Sequence, residues 1–303
     1  MNSEVLEGLR EIVPNEDILI DELMSRHTTF RTGGPASLFL RPGDEEAALK
    51  VVRFLRQNDQ PFFILGNGSN LLISDKGYDG VVISLEKLND LRIEDDTTIV
   101  AEAGVLNSAI ASFARDNALA GFEFAAGIPG TIGGAMIMNA GAYGGEMKDI
   151  TVSVRAIASD GVVVTYKGEE CDFGYRNSAL KKRGDVVTSV RLTLSKGDQE
   201  EISERMKELA LKRKEKQPLE YPSAGSTFKR PEGYFAGKLI EDAGLRGFSV
   251  GGAQVSEKHC GFVINKDNAT SADIYELICE VKKRVYENSG VTLEPEVIML
   301  GEF

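Results

Sequence analysis

Five short segments carry residue types that could do chemistry. Leu65-Gly66-Asn67-Gly68-Ser69-Asn70 follows the apolar run FFIL. Its two glycines let successive backbone N–H groups turn toward one point, as an anion nest requires; a sharp surface turn uses the same residues. The loop is not the dinucleotide fingerprint, which needs a third glycine opening a helix, nor a Walker loop, which needs a following Gly-Lys-Ser/Thr. The tract GFEFAAGIPGTIGGAMIMNAGAYGGEM (121–147) carries little side-chain bulk. It lets a ligand lie directly against backbone donors, and tight packing of turns is its other use. Two Gly-rich loops after strands point to one long phosphate-bearing cofactor touching both. Arg176, in FGYRNS, has the fork that clamps a carboxylate, although an exposed arginine is the default. Ser226, in AGSTFK, has small neighbours that open access to its hydroxyl. There is no GxSxG elbow, and His27 and His259 are the chain's two histidines, which argues against a Ser-His-Asp triad. Glu296, in LEPEV, falls in an apolar terminal strand, where a carboxylate needs a partner or a function unless it is an edge charge.

Composition narrows the partners. The 303 residues carry a net charge of −12, which opposes a broad nucleic-acid surface but leaves room for a local anion pocket. Cys171, Cys260 and Cys279 are too few and too scattered for a disulfide framework, and no Cys/His metal spacing occurs. They are expected to be buried, inert thiols in a reducing compartment. The acidic N-terminus is no signal peptide, and no apolar run approaches the roughly 20 residues of a membrane span. A soluble cytoplasmic protein is expected.

The elements that must position these residues follow from periodicity. Helices are expected at 3–13, after a cap at Asp44, at 104–117 with Leu106, Ile110, Phe113 and Ala114 inward, and at 198–216 with Ile202, Met206, Leu209 and Ala210 on one stripe. Two more are expected near 235–243 and after a cap at Ser271, the last with Ile274, Leu277, Ile278, Val281 and Val285 inward. Strands are expected at 36–40, FFIL, GVVISL, 151–158, 162–166, 185–194, 248–256, 260–265 and the terminal VTLEPEVIML, and a strand or hairpin at 91–101. The Lys-rich stretch near 212–217 is the best boundary before a distinct C-terminal domain.

The ordered set TTFRTGGPA, LGNGSNLL, AGIPGTIGGAMIMNAGAYG, FGYRNS, AGSTFKRP, GGAQVSEKHCGFVIN and LEPEV resembles the UDP-N-acetylenolpyruvoylglucosamine reductase family, and the match covers residues 25–300. The resemblance implies an α+β chain: a two-lobed FAD-binding domain of the vanillyl-alcohol-oxidase type and a C-terminal α+β substrate domain. The lobes would be 1–85, with a strand near 293–303 packing back, and 86–198; the substrate domain would be 199–292. It further implies non-covalent FAD, because GNGSN lacks the His to which related oxidases link flavin. Arg31, Thr32, Gly33 and Leu65 to Asn70 match FAD-binding segments. So do Ala125, Gly127, Ile128, Pro129, Gly130, Thr131, Gly133 and Gly134, and then Asn139, Ala140, Gly141, Ala142 and Tyr143.

The implied reaction is NADPH-dependent reduction of UDP-N-acetylglucosamine enolpyruvate to UDP-N-acetylmuramate in peptidoglycan synthesis. The family's catalytic triple carries over as Arg176, Ser226 and Glu296. Hydride passes from flavin N5 to the methylene carbon, Arg176 and a protonated Glu296 stabilise the enolate-like charge, and Ser226 gives the proton. Tyr175, Lys216, Arg230 and Gln254 match positions near the sugar nucleotide, with Lys216 and Arg230 countering the diphosphate. Longer relatives carry a Tyr-bearing loop where Pro231 to Phe235 stands here, so the chain is a short form and Tyr234 is the candidate replacement. A monomer without a nucleic-acid partner or a metal is expected. Two rivals remain at this stage: a flavin oxidase of the same fold that uses oxygen, and a non-catalytic nucleotide-sugar sensor.

Overall fold

The structure, a computed structural model, describes residues 3–303; Met1 and Asn2, which open the expected first lobe, lie outside the described residues. Its α-helices are α1 (Ser3–Arg10), α2 (Glu45–Gln57), α3 (Asn107–Asp116), α4 (Ile132–Met138), α5 (Ala179–Arg183), α6 (Gln199–Lys216), α7 (Ala236–Asp242) and α8 (Ser271–Ser289). No helix among the described residues is long and apolar enough to cross a membrane. The chain forms two compact units. The first holds the described residues to Leu19, then Leu38–Asn67 and Gly80–Arg213; the second holds Ile20–Ser37, Gly68–Asp79 and Lys214–Phe303.

In the first unit, the Asp44 side chain accepts the Ala47 N–H at 2.8 Å and starts α2, a cap worth about 1 kcal/mol. Ala48, Val51, Val52 and Leu55 form its buried face. Phe62–Leu65 pairs in parallel with Val81–Ser84. Val81, Val82 and Ile83 are consecutive and all buried, as a parallel pair covered on both faces requires. Leu65 runs straight into Gly66, so this strand aims the loop. A five-stranded sheet has the spatial order 163–167, 151–157, 186–193, 98–102 and 91–93. Val154, Val190 and Ala101 stand opposite one another across three antiparallel strands and share a core with Ile132 and Met136 of α4. The Gly-rich tract around α4 is thereby fixed to a sheet.

In the second unit, three short antiparallel strands, Ser249–Val250, Ala253–Val255 and Val263–Asn265, pack against α8. Ile274, Leu277, Ile278, Val281 and Val285 share a core with Phe30, Leu72, Ile240 and Leu293. Leu71–Ile73 and Ile298–Leu300 form a parallel pair.

Five expectations are corrected. Leu106 is 43% exposed, because the chain enters α3 one residue later, where the Asn107 N–H donates to the Gly130 carbonyl at 3.0 Å. Ala210 is exposed; only Ile202 and Leu209 of α6 are buried. Thr270, not Ser271, caps α8, because Thr270 and Asp273 satisfy each other's backbone N–H in a capping box. The terminal strand is only Ile298–Leu300, so Glu296 lies before it. Cys171 and Cys260 are buried but Cys279 is exposed on α8.

Candidate active site

The first unit brings the two Gly-rich loops together. A Cβ at Gly66 would stand 2.6 Å from Thr131 Oγ1, so bare backbone is needed there. Leu65, Ala125 and Thr131 are buried beneath this contact, and the Ile132 and Gly133 N–H groups are bound to the Val105 and Ala103 carbonyls. A Gly133 Cβ would meet that of Ala103 at 2.8 Å. Ile128 and Gly130 are half-buried, while Gly127, Pro129 and Gly134 are exposed along one stretch. Asn107 is buried beside this stretch; its Nδ2 donates to the Ile128 carbonyl at 3.4 Å and its Oδ1 has no partner.

Asn139 closes the tract. It is buried and left-handed (φ 42°), a conformation Asn tolerates better than most residues. Its Oδ1 accepts the Lys148 N–H at 3.0 Å, and its Nδ2 donates to Glu146 Oε2 at 2.8 Å and to the Gly174 carbonyl at 3.2 Å. The hydrogen bond and charge of Lys148 hold the Glu146 carboxyl below the usual range, with Asn139 adding to the effect. Ala140, Gly141 and Ala142 lead on to Tyr143, 41% exposed at φ 54°.

The Gly174 contact fixes the loop that carries Tyr175 and Arg176. Gly174 and Asn177 exchange two backbone hydrogen bonds, 2.9 and 3.2 Å, with Tyr175 and Arg176 at the tip. Ser178 anchors the far side, its Oγ donating to the Ile137 carbonyl at 2.9 Å and capping α5. Arg176 occupies a left-handed position (φ 52°), and its guanidinium lies 5.3 Å from the exposed Tyr175 ring. Among the described residues nine non-glycines have positive φ, and four of them, Arg31, Asn139, Tyr143 and Arg176, are candidate site residues. Such strain costs of order 1–3 kcal/mol each and persists where the surroundings enforce it.

One candidate site residue escaped sequence reasoning. Arg213, near the end of α6, passes its Cδ 3.1 Å from the place a Gly127 Cβ would take. Its guanidinium is half-buried and has no hydrogen bond or ion pair to any described residue. Burial pushes it below the usual guanidinium range, opposed by Tyr143. A desolvated cation without a protein acceptor is costly, so it marks a place for an anionic group. Within a run of Lys and Arg it carried no signal of its own.

In the second unit, a Gly68 Cβ would lie 1.9 Å from the His27 carbonyl oxygen, and Gly68 itself is left-handed (φ 59°). Ser69 is half-buried next to it. Arg31 is exposed on the same short stretch (φ 59°), and Gly33 also has positive φ. Thr32 is buried with its Oγ1 unpartnered. Asn70 does more than turn the chain: its Nδ2 donates to the Glu296 carbonyl at 3.2 Å, and its carbonyl accepts the Ile298 N–H at 3.0 Å.

Ser226 and Glu296 come together on neighbouring segments. The Glu296 N–H donates to the Thr227 carbonyl at 2.8 Å, and the Lys229 N–H to the Glu294 carbonyl at 2.9 Å. Phe228 bridges Pro295 in antiparallel fashion. Ser226 is exposed between Gly225 (φ 74°) and the buried Thr227, and Glu296 is half-buried. Arg230 is exposed, its Nε donating to the Tyr234 carbonyl at 3.3 Å and its guanidinium 4.0 Å from the Phe235 ring. Gln254 donates to the Gly247 carbonyl and Ser249 Oγ, each at 3.2 Å, and its buried Oε1 has no partner. Lys216 ends α6, exposed and without an ion pair to any described residue.

Residues 36–167 match the family model of an FAD binding domain, and 217–300 that of the C-terminal domain of UDP-N-acetylenolpyruvoylglucosamine reductase. The chain is 50% identical to the UDP-N-acetylenolpyruvoylglucosamine reductase of Caldanaerobacter subterraneus subsp. tengcongensis over 98% of both chains. It is also 50% identical to that of Clostridioides difficile over 99% of both. A solved structure of the Thermus caldophilus reductase superposes with a TM-score of 0.80 at 37% identity, covering 92% of this chain and 98% of that one. A 4-ethylphenol oxidase from Gulosibacter chungangensis shares the fold of 64% of this chain and 42% of its own, at TM-score 0.50 and 17% identity.

Proposed function

Because the chain belongs to the UDP-N-acetylenolpyruvoylglucosamine reductase family, an FAD-dependent oxidoreductase family of peptidoglycan synthesis, we propose that it reduces the enolpyruvyl group of UDP-N-acetylglucosamine enolpyruvate with NADPH. The fold is the family's: a two-lobed FAD-binding part of the vanillyl-alcohol-oxidase type and a C-terminal α+β substrate part. We further propose that it works in the cytoplasm as a monomer.

The residues fit a flavin dinucleotide. Gly66 against Thr131 and the exposed 127–134 stretch leave backbone open, Thr32 Oγ1 and Asn107 Oδ1 are buried polar atoms awaiting partners, and Arg213 awaits an anion. Arg31 to Gly33, Gly66 to Asn70 and the 125–143 tract hold the cofactor in this reading. FAD bound there supplies the relay of hydride from NADPH to the enol ether.

The remaining chemistry belongs to side chains. Hydride arriving at the methylene carbon leaves negative charge on the adjacent carbon and on the substrate carboxylate. Arg176, preset by its stapled turn, and a protonated Glu296 donate to that carboxylate; fixed donors of this kind are worth roughly 3–4 kcal/mol each. Ser226 holds the proton for the neighbouring carbon, a task a weak acid performs only against a strongly basic centre. Tyr175, Lys216, Arg230 and Gln254 face the sugar nucleotide, the two cations meeting the diphosphate.

The observation that best supports this reading is the backbone hydrogen bond from Glu296 to Thr227, which brings the segments carrying Glu296 and Ser226 together within one unit. The test is mass spectrometry of UDP-N-acetylglucosamine enolpyruvate incubated with FAD-loaded protein and NADPH. The substrate should gain two hydrogens, and Arg176→Ala and Glu296→Ala should each slow this at least about a hundredfold while retaining FAD. Flavin-loaded protein that yields no reduced product refutes the reading.

A further inference from the structure

Ser226 sits between two anchored stretches: Ser223 bridges Ile264 and Ala224 is buried before it, and Thr227 is buried after it. Gly225 before it is left-handed and has open space around its Cα, whereas Thr227 after it is fully buried and bolted down. The Thr227 N–H donates to the Gly261 carbonyl at 2.9 Å, and its Oγ1 accepts the Val263 N–H at 2.9 Å. The Thr227 carbonyl in turn accepts the Glu296 N–H at 2.8 Å. Whatever holds Gly261 in place therefore bears on Thr227, and through it on the backbone beside Ser226 and Glu296.

The peptide on the other side of Gly261 is held by an imidazole. The Gly261 N–H donates to His259 Nδ1 at 3.1 Å, so the ring is neutral with its proton on Nε2. The ring is held edge-on to Phe262, with centroids 5.0 Å apart. The His259 N–H donates to Ser256 Oγ at 3.3 Å, and the His259 carbonyl accepts the Phe262 N–H at 3.0 Å. Glycines make room for the ring: a Cβ at Gly261 would stand 3.0 Å from its Cε1, and one at Gly237 of α7 3.4 Å from it.

We propose that His259 is a positioning residue for the proton-delivery step: through its unprotonated Nδ1 it holds the N–H side of Gly261, whose carbonyl on the other side holds Thr227 and with it Ser226 and Glu296. This rests on the roles proposed above for Ser226 and Glu296. His259 itself contacts neither residue in this relay directly. Protonating Nδ1 turns the acceptor into a donor facing a second donor, so the 259–261 turn must open.

The surroundings favour the neutral ring. Burial pushes His259 below the usual imidazole range; a hydrogen bond to its own backbone opposes this in part, and the Arg246 guanidinium adds a smaller push downward. Arg246 is itself held by Glu241 at 2.7 Å and by the Glu257 carbonyl. Lys238 on α7 is paired with Asp242 at 2.5 Å, Glu257 and Lys258 lie on the histidine's own loop, and burial raises the Cys260 thiol, which stays neutral. A histidine depressed in the folded state favours folding fully above its unfolded value of about 6.5, and that contribution is lost as pH falls toward the folded value. The clamp opens in that same window, on the acid side.

The test compares wild type, His259→Asn and His259→Leu as FAD-loaded full-length proteins. Asn offers Oδ1 where Nδ1 was and does not titrate; Leu offers no acceptor. Flavin reoxidation by the enolpyruvyl substrate should slow at least about tenfold in His259→Leu, while reduction by NADPH stays within about twofold. His259→Asn should restore most of the reoxidation rate and remove its acid limb below about pH 6.5. Nitrogen NMR of wild type should show Nε2 protonated, and Gly261 and Thr227 amide exchange should accelerate only in His259→Leu. Equal losses in His259→Asn and His259→Leu, equal losses in both half-reactions, or a proton on Nδ1 would overturn the proposal. If Ser226→Ala itself leaves reoxidation unchanged, the reading of Ser226 fails instead, and the exchange and NMR results still decide whether the clamp exists.

Discussion

Replacing Asn139 by Asp changes the shape of the side chain little and its chemistry completely. The Asp retains an acceptor for the Lys148 N–H, 3.0 Å away in the wild type. It loses both donors, to Glu146 Oε2 at 2.8 Å and to the Gly174 carbonyl at 3.2 Å. The neutral bond is worth about 1 kcal/mol and the one to a carboxylate about 1.5–3 in burial. The Glu146 side chain is 38% exposed, so solvent screens that contact and the low end applies. The one Asp oxygen that replaces Nδ2 now faces two acceptors, one of them a carboxylate, which brings the expected loss to about 3 kcal/mol at pH 7. The urea midpoint should fall with an unchanged slope. The wild-type Glu146 is depressed, so its contribution is present above its unfolded value of about 4.5 and is lost as pH falls. In the variant one of the two facing carboxyls is raised instead, and its protonation relieves the repulsion. The gap between variant and wild type should therefore narrow below about pH 5. Because Asn139 also fixes the Arg176 turn, flavin reoxidation by substrate should slow more than reduction by NADPH. A variant within about 0.5 kcal/mol of wild type, with both half-reactions unchanged, refutes the claim that Asn139 anchors this site.

Arg213→Met keeps the aliphatic stem against Gly127 and removes the cation; FAD affinity by fluorescence titration should fall at least about tenfold, and an unchanged affinity removes Arg213 from the site. Gly68→Ala forces a Cβ to 1.9 Å from the His27 carbonyl at φ 59°, so the variant should lose more than about 3 kcal/mol by urea denaturation; a stable variant shows that the loop has another conformation. Burial raises the Cys171 thiol to about 11, so at pH 8 a thiol reagent should modify the exposed Cys279 alone in the native protein, and labelling of Cys171 at a similar rate contradicts its burial.

The parts of the fold legible in the sequence are those set by local periodicity. Five apolar positions of α8 recur at helical spacing and all are buried, and Asp44 caps α2 by its own side chain. Helix ends were less legible, since Thr270 and Ser271 are both good caps and only the reciprocal bond with Asp273 decides between them. Ala210 was placed inward because a weakly amphipathic helix offers several stripes of similar quality. Glu296 reads as a strand residue because it adjoins the apolar run VIML, while its true support is a pairing with 227–229, some seventy residues away in sequence. The glycine loops were legible because missing side chains can be counted. Asn70 as the tether of Glu296, Asn139 as an anchor, Arg213 as an unpaired cation and His259 as a clamp were not. Each depends on partners distant in sequence, and none has a spacing of its own.

The proton from Ser226 is the central claim, and stopped-flow absorbance of Ser226→Ala tests it most directly. The substitution removes one exposed oxygen, so folding and FAD binding should survive. Reduction of the bound flavin by NADPH should proceed near the wild-type rate, because no proton from Ser226 enters that step, while reoxidation by the enolpyruvyl substrate should slow at least about a hundredfold. Reoxidation within about tenfold of wild type, or a reduction step slowed as much as reoxidation, would contradict the account.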